Sequence, residues 1–325
     1  MGELSHNAVL LLIALALDAL VGDPDWLWRR FRHPVVVLGA LIARLDEALN
    51  LRDWPGYQRR ISGVAALLIL LAVSGGIAFI LSHLLRGLSG GGIVEAALAA
   101  ILLAQKSLFQ HVKAVAFGLE EGGLAGGRAA VSQIVGRDPN QLDEAGVSRA
   151  ALESLSENLS DGVVAPAFWF LIGGLPGIVL YKAINTADSM IAHKSERYRE
   201  FGWAAARLDD LVNLPASRLT AVLLLLAAWG LSGWSAAKRG LRMLWRDAGK
   251  HRSPNAGWPE AALAGALDVS LSGPRVYAGE GKSEEPWVNE KGWRTPGATD
   301  IRRGLRLCFY ALWMQALLVL VLAIA

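Results

Sequence analysis

The strongest constraint on this chain is a series of apolar runs long enough to cross a lipid bilayer. A hydrocarbon core of ~30 Å needs about 20 apolar residues in helical form. Three runs meet that requirement well: Ile61 to Leu85, Leu214 to Trp234 and Leu305 to Ala325. Ala8 to Val21 is short for a span, and Ile93 to Leu119 is long but carries Glu95, Gln105, Lys106, His111 and Lys113. A sixth run, Val163 to Asn185, is interrupted by Gly173-Gly174-Leu175-Pro176-Gly177. That break frees backbone hydrogen-bonding groups, which membranes tolerate only where protein or water covers them. It reads either as a kinked span or as a re-entrant hairpin.

The expected fold is therefore all-α: a polytopic helical membrane protein with about five membrane helices, one broken or re-entrant segment, and cytoplasmic helical or loop regions. Composition agrees, with 53% hydrophobic and 19% charged residues and a mean hydropathy of +0.36. We expect one integral membrane domain over 1–325, with polar insertions at 22–60, 119–160, 186–213 and 236–302. The stretch from 119 to 159 reads as helices outside the lipid, and 245–301 as loops with short helices. Met1 to Asn7 lacks Lys and Arg, and Gly22-Asp23-Pro24 follows the first run where a cleavage site would stand, so that helix is expected to be retained.

A formal charge of +3 leaves no basic excess of the kind nucleic-acid binding requires. The basic residues speak to topology instead. Arg29, Arg30, Arg32, Arg44, Arg52, Arg59 and Arg60 place the loop after the first helix in the cytoplasm. Lys194 to Arg218 and Lys238 to Arg303 both ask for the same side, which alternate crossing by every apolar run cannot grant. Cys308 has no partner, so disulfides and cysteine-rich metal sites are excluded. Twelve tryptophans suit two membrane interfaces.

Acids and amides gather at the edges of the apolar runs. Glu153-Ser-Leu-Ser-Glu157-Asn158-Leu-Ser160-Asp161 places Glu153, Glu157, Ser160 and Asp161 on one side of a helix at 100° per residue, either a solvated face or a functional one. Asn185 and Asp188 are one helical turn apart, with Glu196 two turns beyond, and such oxygen spacing suits Mg²⁺ completed by substrate phosphates. Arg207-Leu-Asp209-Asp210-Leu-Val-Asn213 repeats the theme, although Arg207 and Asp210 also make an ordinary i,i+3 pair. Lys106 would be costly in lipid and so faces protein, a cavity or the interface. His33-Pro34 reads as a turn. Ser253-Pro-Asn255-Ala-Gly-Trp258-Pro-Glu260 reads equally as a helix-capping loop or as one that contacts substrate. Walker A, GxGxxG and HExxH signatures are missing.

These motifs resemble the adenosylcobinamide-phosphate synthases, the integral membrane proteins of cobalamin biosynthesis. The similarity runs nearly end to end through LDALVGDP (Leu17 to Pro24), HPV (His33 to Val35), RRISG (Arg59 to Gly63), QKSL (Gln105 to Leu108) and VGRD (Val135 to Asp138). It continues through ESLSENLSDGVVAPAFW (Glu153 to Trp169), NTADSM (Asn185 to Met190), ERYREFGWAAARLDDLVN (Glu196 to Asn213) and SPNAGWPEAALAGAL (Ser253 to Leu267). Only 277–298 matches loosely.

The resemblance implies ATP-dependent amide formation between a propionate of adenosylcobyric acid and aminopropanol or its phosphate. It implies Mg²⁺ as cofactor, ATP as co-substrate, the corrinoid as substrate, and membrane lipid and other cobalamin-assembly enzymes as partners, with no nucleic acid. The setting it implies is a bacterial or archaeal cell membrane, such as a cell inner membrane, with the active site on the cytoplasmic side. On this reading Mg²⁺ is held by some of Asp188, Glu196, Asp209 and Asp210. Arg197, Arg207, Lys106 and Arg137 face phosphate charge. Glu153 or Glu157 accepts the amine's proton, with Asp161 beside them. Asn158, Asn185, Asn213 and Asn255 orient corrin amides, with Trp258 and Glu260 in the same substrate loop. Two other readings fit the residues: a Mg²⁺-dependent membrane prenyl- or phospho-transferase, and a non-enzymatic corrinoid transporter whose path is lined by the Gly173 to Gly177 break.

Overall fold

The computed structural model describes residues 2–136, 138–193, 195–277, 281–283 and 285–325. The fold is helical and polytopic, as expected. Among the described residues six helical stretches are long and apolar enough to cross a membrane: Glu3–Leu20, Gly56–Arg86, Gly91–Val131, Glu144–Ile191, Trp203–Lys250 and Ala298–Ile324.

The chain divides into two compact units, each assembled from separated segments. The first comprises 1–104, 165–213 and 319–325; the second comprises 105–164 and 214–318. In chain order the helices are α1 (Glu3–Leu20), α2 (Asp25–Trp28), α3 (Pro34–Leu49), α4 (Gly56–Arg86), α5 (Gly91–Ala100), α6 (Gln105–Val131), α7 (Glu144–Leu159), α8 (Ala165–Ile191), α9 (Trp203–Asp247), α10 (Gly257–Leu267) and α11 (Ala298–Ile324).

In the first unit α1 lies against α5 and α8, and α4 lies against α3, α5 and α8. Ala8, Leu11 and Ala14 of α1 recur at helical spacing and are buried with Ala96, Ala99, Phe170 and Ile178. Leu38, Ile42, Leu70, Ala187 and Phe201 form a neighbouring core. The opposite face of α4 leaves Ile61, Leu68, Ile77, Phe79 and Leu84 exposed, an apolar surface that a bilayer covers.

The second unit is built around α7, whose Ala, Ser and Gly residues are buried nearly all the way round. A helix that small and apolar on every side belongs inside protein. Small strands stand where only loops and short helices are expected. β1 (Leu271–Ser272) pairs antiparallel with β4 (Trp287–Val288), and β2 (Arg275–Tyr277) with β3 (Gly281–Ser283).

The interruption at Gly173 to Gly177 is a reversal of direction. Gly174 adopts φ 57°, ψ −148°, a conformation that side chains other than glycine rarely reach. A Cβ placed on Gly177 would stand 2.1 Å from the Trp169 carbonyl oxygen. Residues eight apart in a continuous helix are separated by about 12 Å, so the two legs of α8 fold back on each other. Similar reversals occur at Gly123 in α6 and Gly233 in α9.

The reversals change what each apolar run does to the course of the chain. The tip of the α8 hairpin meets Asn7 and Glu95, and its returning leg ends in the chain that leads to Arg197 and α9. In the second unit, Ser217 and Arg218, early in the first leg of α9, bond to Asn255 beyond the end of the second leg. Arg218 and the loop at Asn255 therefore stand at one end of that hairpin, with Lys238, Arg239 and Arg242 along its second leg. Trp229 and Trp234, both exposed, flank its turn with ring centroids 6.1 Å apart, a position suited to the headgroup level.

Candidate functional site

In the first unit the foot of α8 and the start of α9 bring Asn185, Asp188, Asp209, Asp210 and Asn213 together. The Asp209 carboxylate accepts from Asn213 Nδ2 at 2.9 Å, one helical turn along α9, and from Asn185 Nδ2 at 3.5 Å across from α8. Asn213 is buried, and its Oδ1 accepts from the Tyr181 hydroxyl at 2.9 Å, which fixes the amide's orientation. Trp169 Nε1 donates to the Val212 carbonyl at 3.1 Å, tying the hairpin's other leg to the same turn of α9. The carboxylates of Asp188, Asp209 and Asp210 lie near enough to act electrostatically on one another.

Like charges held together in a half-buried place favour a cation. Among the described residues no three His, Cys, Asp or Glu side chains close into a cage that would hold a metal by themselves. The donor set fits Mg²⁺ in the form that uses one or two carboxylates with phosphate and water oxygens. Arg207 pairs with Asp210 at 3.4 Å, and its side chain is 68% exposed, so this pair contributes little to stability.

Two expectations at this place are corrected. Helix α8 ends at Ile191, so Glu196 does not lie two helical turns beyond Asp188; it is exposed in the following loop, and its carbonyl oxygen accepts from Arg59. Arg197 is turned to a structural partner, donating to the nearly buried Asp46 carboxylate, which also accepts from the Tyr198 hydroxyl. The hydrogen bond that Arg197 donates to Asp46, with that carboxylate's charge, holds its guanidinium above its usual pKa. Arg59 donates to the Arg197 carbonyl and to Asn50, and Asn50 donates to Asp46. The spacing between Asp46 and Arg197 is far too long for any local pattern to have shown this clasp. Replacing Asp46 by alanine is expected to release the 192–202 loop, read as faster proteolysis there with the rest of the digestion pattern unchanged.

In the second unit Glu153 and Glu260 converge on Ser272. Glu153 Oε1 accepts from the Ser272 backbone N–H at 2.8 Å, and Glu260 Oε1 accepts from its hydroxyl at 2.6 Å. His251 Nε2 lies 3.7 Å from Glu260 Oε2. Asn255 Oδ1 accepts from Arg218 Nη1 at 2.8 Å, and the Arg218 guanidinium stacks over Trp258 at 4.5 Å. Ser272, His251 and Arg218 were not singled out from the sequence, and Ser272 sits just before the segment with no distinctive motif.

The expected single stripe of Glu153, Glu157, Ser160 and Asp161 is broken. Helix α7 ends at Leu159, Ser160–Val164 forms a π-helical turn, and burial divides the acids. Glu153 and Ser160 are buried, Asp161 is half-buried, and Glu157 and Asn158 are exposed. Asn158 Nδ2 donates to the Ser154 carbonyl at 2.9 Å. Lys106 is half-buried at the start of α6, and Arg137 lies outside the described residues. Ser253 and Asn255 precede α10, where the Ser253 hydroxyl accepts from the backbone N–H groups of Asn255 and Ala256, while Glu260 is in the first turn. His33 caps α3, its Nδ1 accepting from Val35 N at 3.2 Å, so the turn reading of this motif holds.

Comparison with known proteins gives the context for these clusters. The family model described as CobD/Cbib protein matches residues 11–308. A protein named cobalamin biosynthesis protein CobD from Sinorhizobium sp is 54% identical over 98% of this chain and 99% of its own length. Proteins of the same name from Rhizobium meliloti (strain 1021) and Brucella suis biovar 1 (strain 1330) are 53% and 51% identical, covering 93% and 92% of this chain and 92% and 91% of their own. No solved structure matches. The helical membrane fold, the placement of the acid and amide motifs and the near-complete match agree: this chain belongs to the CobD/Cbib family of cobalamin-biosynthesis proteins.

Proposed function

We propose that the protein catalyses ATP-dependent amide formation between a propionate side chain of adenosylcobyric acid and the amine of 1-amino-2-propanol or its phosphate. A carboxylate is a poor acyl donor. Its oxygen takes the terminal phosphoryl group of ATP, releasing ADP, and the amine nitrogen then displaces phosphate from the acyl carbon and loses a proton. The observation that carries this reading is the set of carboxylates Asp188, Asp209 and Asp210, held beside Asn185 and Asn213 at the foot of the α8 hairpin.

Mg²⁺ bound there would neutralise the nucleotide's phosphate oxygens. Asp209 orders the two amides, and Tyr181 keeps Asn213 from turning. Arg207, exposed at the same end of α9, would meet phosphate from solution. Asp161 and Glu157, the less buried of the acids around the π turn, suit acceptance of the amine's proton better than Glu153, one of whose carboxylate oxygens accepts from β1. Asn255 and Trp258, ordered by Arg218, suit recognition of the amide-rich corrin rim. The segment that joins α8 to α9 beside the proposed site, with the start of α9, carries Arg197, Arg199 and Arg207, which supports a cytoplasmic active site in a bacterial or archaeal membrane.

The test is incubation of purified protein with adenosylcobyric acid, Mg-ATP and either aminopropanol or its phosphate, with products followed by mass. Amide product with one ADP released per bond is expected. Folded protein that binds the corrinoid but forms no amide with either amine would overturn the proposal in favour of transport.

A further inference from the structure

The tip of the α8 hairpin is wrapped by polar groups that the proposed chemistry does not use. Glu95 is 1% exposed on α5, within a candidate membrane span, and its Oε1 accepts from Ser82 Oγ at 3.0 Å and from the Leu175 backbone N–H at 3.4 Å. The Leu175 N–H is the first donor after the reversal, so the carboxylate serves the open N-terminal end of the returning leg. Asn7 of α1 serves the other side: its Nδ2 donates to the Leu171 carbonyl at 3.2 Å, one of the last acceptors of the leg that enters the turn. This bond fixes the amide's orientation. It leaves Oδ1, on a residue only 5% exposed, with no hydrogen-bond partner.

Asn7 Oδ1 and Glu95 Oε1 face one small volume. A Cβ built on Gly174 would lie 3.5 Å from the first and 3.6 Å from the second. A carboxylate whose charge no described basic side chain meets and a buried amide oxygen with no donor, facing one point inside a candidate span, favour a positive charge between them. Among the described residues no basic side chain pairs with Glu95. The other ionisable groups near this end of α1 and α4 are Glu3, His6, His83 and Arg86. Arg86 pairs with Glu3 at 3.6 Å, His83 is exposed, and His6 is half-buried. Helix α8 carries none before Tyr181, whose hydroxyl donates to Asn213.

We propose that the pocket between Asn7, Ser82, Glu95 and the Gly174 reversal binds a single positive charge, a proton or an alkali-metal cation, that bridges the Glu95 carboxylate to Asn7 Oδ1 and locks the hairpin tip. A proton there makes Glu95 a donor to the amide oxygen. A sodium-like cation uses both oxygens as ligands, with the Ser82 hydroxyl and the carbonyls of the entering leg as further oxygen donors. Either occupant couples the tip to α1, α4 and α5, far along α8 from the Asn185 and Asp188 turn.

Thermal unfolding of the full-length protein in lipid nanodiscs tests this, in sodium, potassium and choline chloride. A proton predicts that Glu95→Gln, whose amide N–H can donate to Asn7, melts with wild type in every salt, while Glu95→Ala and Asn7→Leu melt lower by about 5 °C or more. An alkali cation predicts a wild-type melting temperature that rises in sodium or potassium but not choline, and loses that dependence in Glu95→Gln. Wild-type melting of Glu95→Ala and Asn7→Leu would overturn the proposal. So would a Glu95→Gln protein as unstable as Glu95→Ala with no dependence on salt. Should Glu95→Ala fail to fold, the salt series on wild type and Glu95→Gln still decides.

Discussion

Asp209→Ala is expected to lower amide formation by about 100-fold or more while the protein stays folded, a loss of the size seen when one preorganised electrostatic contact is removed. Asp209 is the member of its cluster that organises the others: one oxygen accepts from Asn185 on α8 and the other from Asn213 on α9. Its removal withdraws a charge from the proposed Mg-nucleotide site and unties the two helices at that point. Asp209→Asn separates the two effects, since it keeps the shape and loses the charge. This variant is expected to need more Mg²⁺ for half-maximal rate. Product formation by mass across a Mg²⁺ titration, with helicity checked by circular dichroism, is the measurement. Unchanged turnover in both variants would remove Asp209 from the chemistry and leave the cluster a structural clasp.

Gly177→Ala is expected to be among the most destabilising single-methyl changes in the chain. The added carbon would meet the Trp169 carbonyl oxygen at 2.1 Å, and a backbone atom cannot rotate away as a side chain would. The legs of α8 must separate, and Trp169, which donates to Val212, is drawn along. Overpacking of this kind costs about 1–3 kcal/mol even where side chains can yield, and we expect about 3 kcal/mol here. Gly173→Ala supplies the control. It lies four residues away with nothing within 4 Å of its added carbon, so it is expected to melt with wild type or slightly above it. Equal melting of the two alanine variants would contradict the hairpin.

Much of this was legible because membrane physics leaves marks in composition. The runs at Ile61 to Leu85 and Leu305 to Ala325 are helices as expected, and the Gly-Gly-Leu-Pro-Gly break in α8 was visible as a break. Whether that break bends or reverses the chain depends on the packing of Gly177 against Trp169, which no local pattern states. The Gly233 reversal was hidden inside a run that looked like an ordinary crossing. At the candidate site, the grouping of Asn185, Asp209 and Asn213 follows from edge position and helical spacing. Glu196 was misplaced because α8 stops at Ile191, and Arg197 because Asp46, its partner, is remote in sequence. The Glu153 stripe is divided by burial: Glu153 is enclosed and accepts from Ser272, while Glu157, one turn further along α7, is exposed, and the partner Ser272 is remote in sequence.

The Gly233 turn bears on how the protein is made. Because Arg218 and Asn255 meet at one end of the α9 hairpin, the segment just after α9, with Lys250 and Arg252, ends up at the end where the first leg began. The insertion machinery can admit this pair of legs as a preformed loop, with the tryptophan-bearing bend leading. Lys250 and Arg252 then stay on the side of entry.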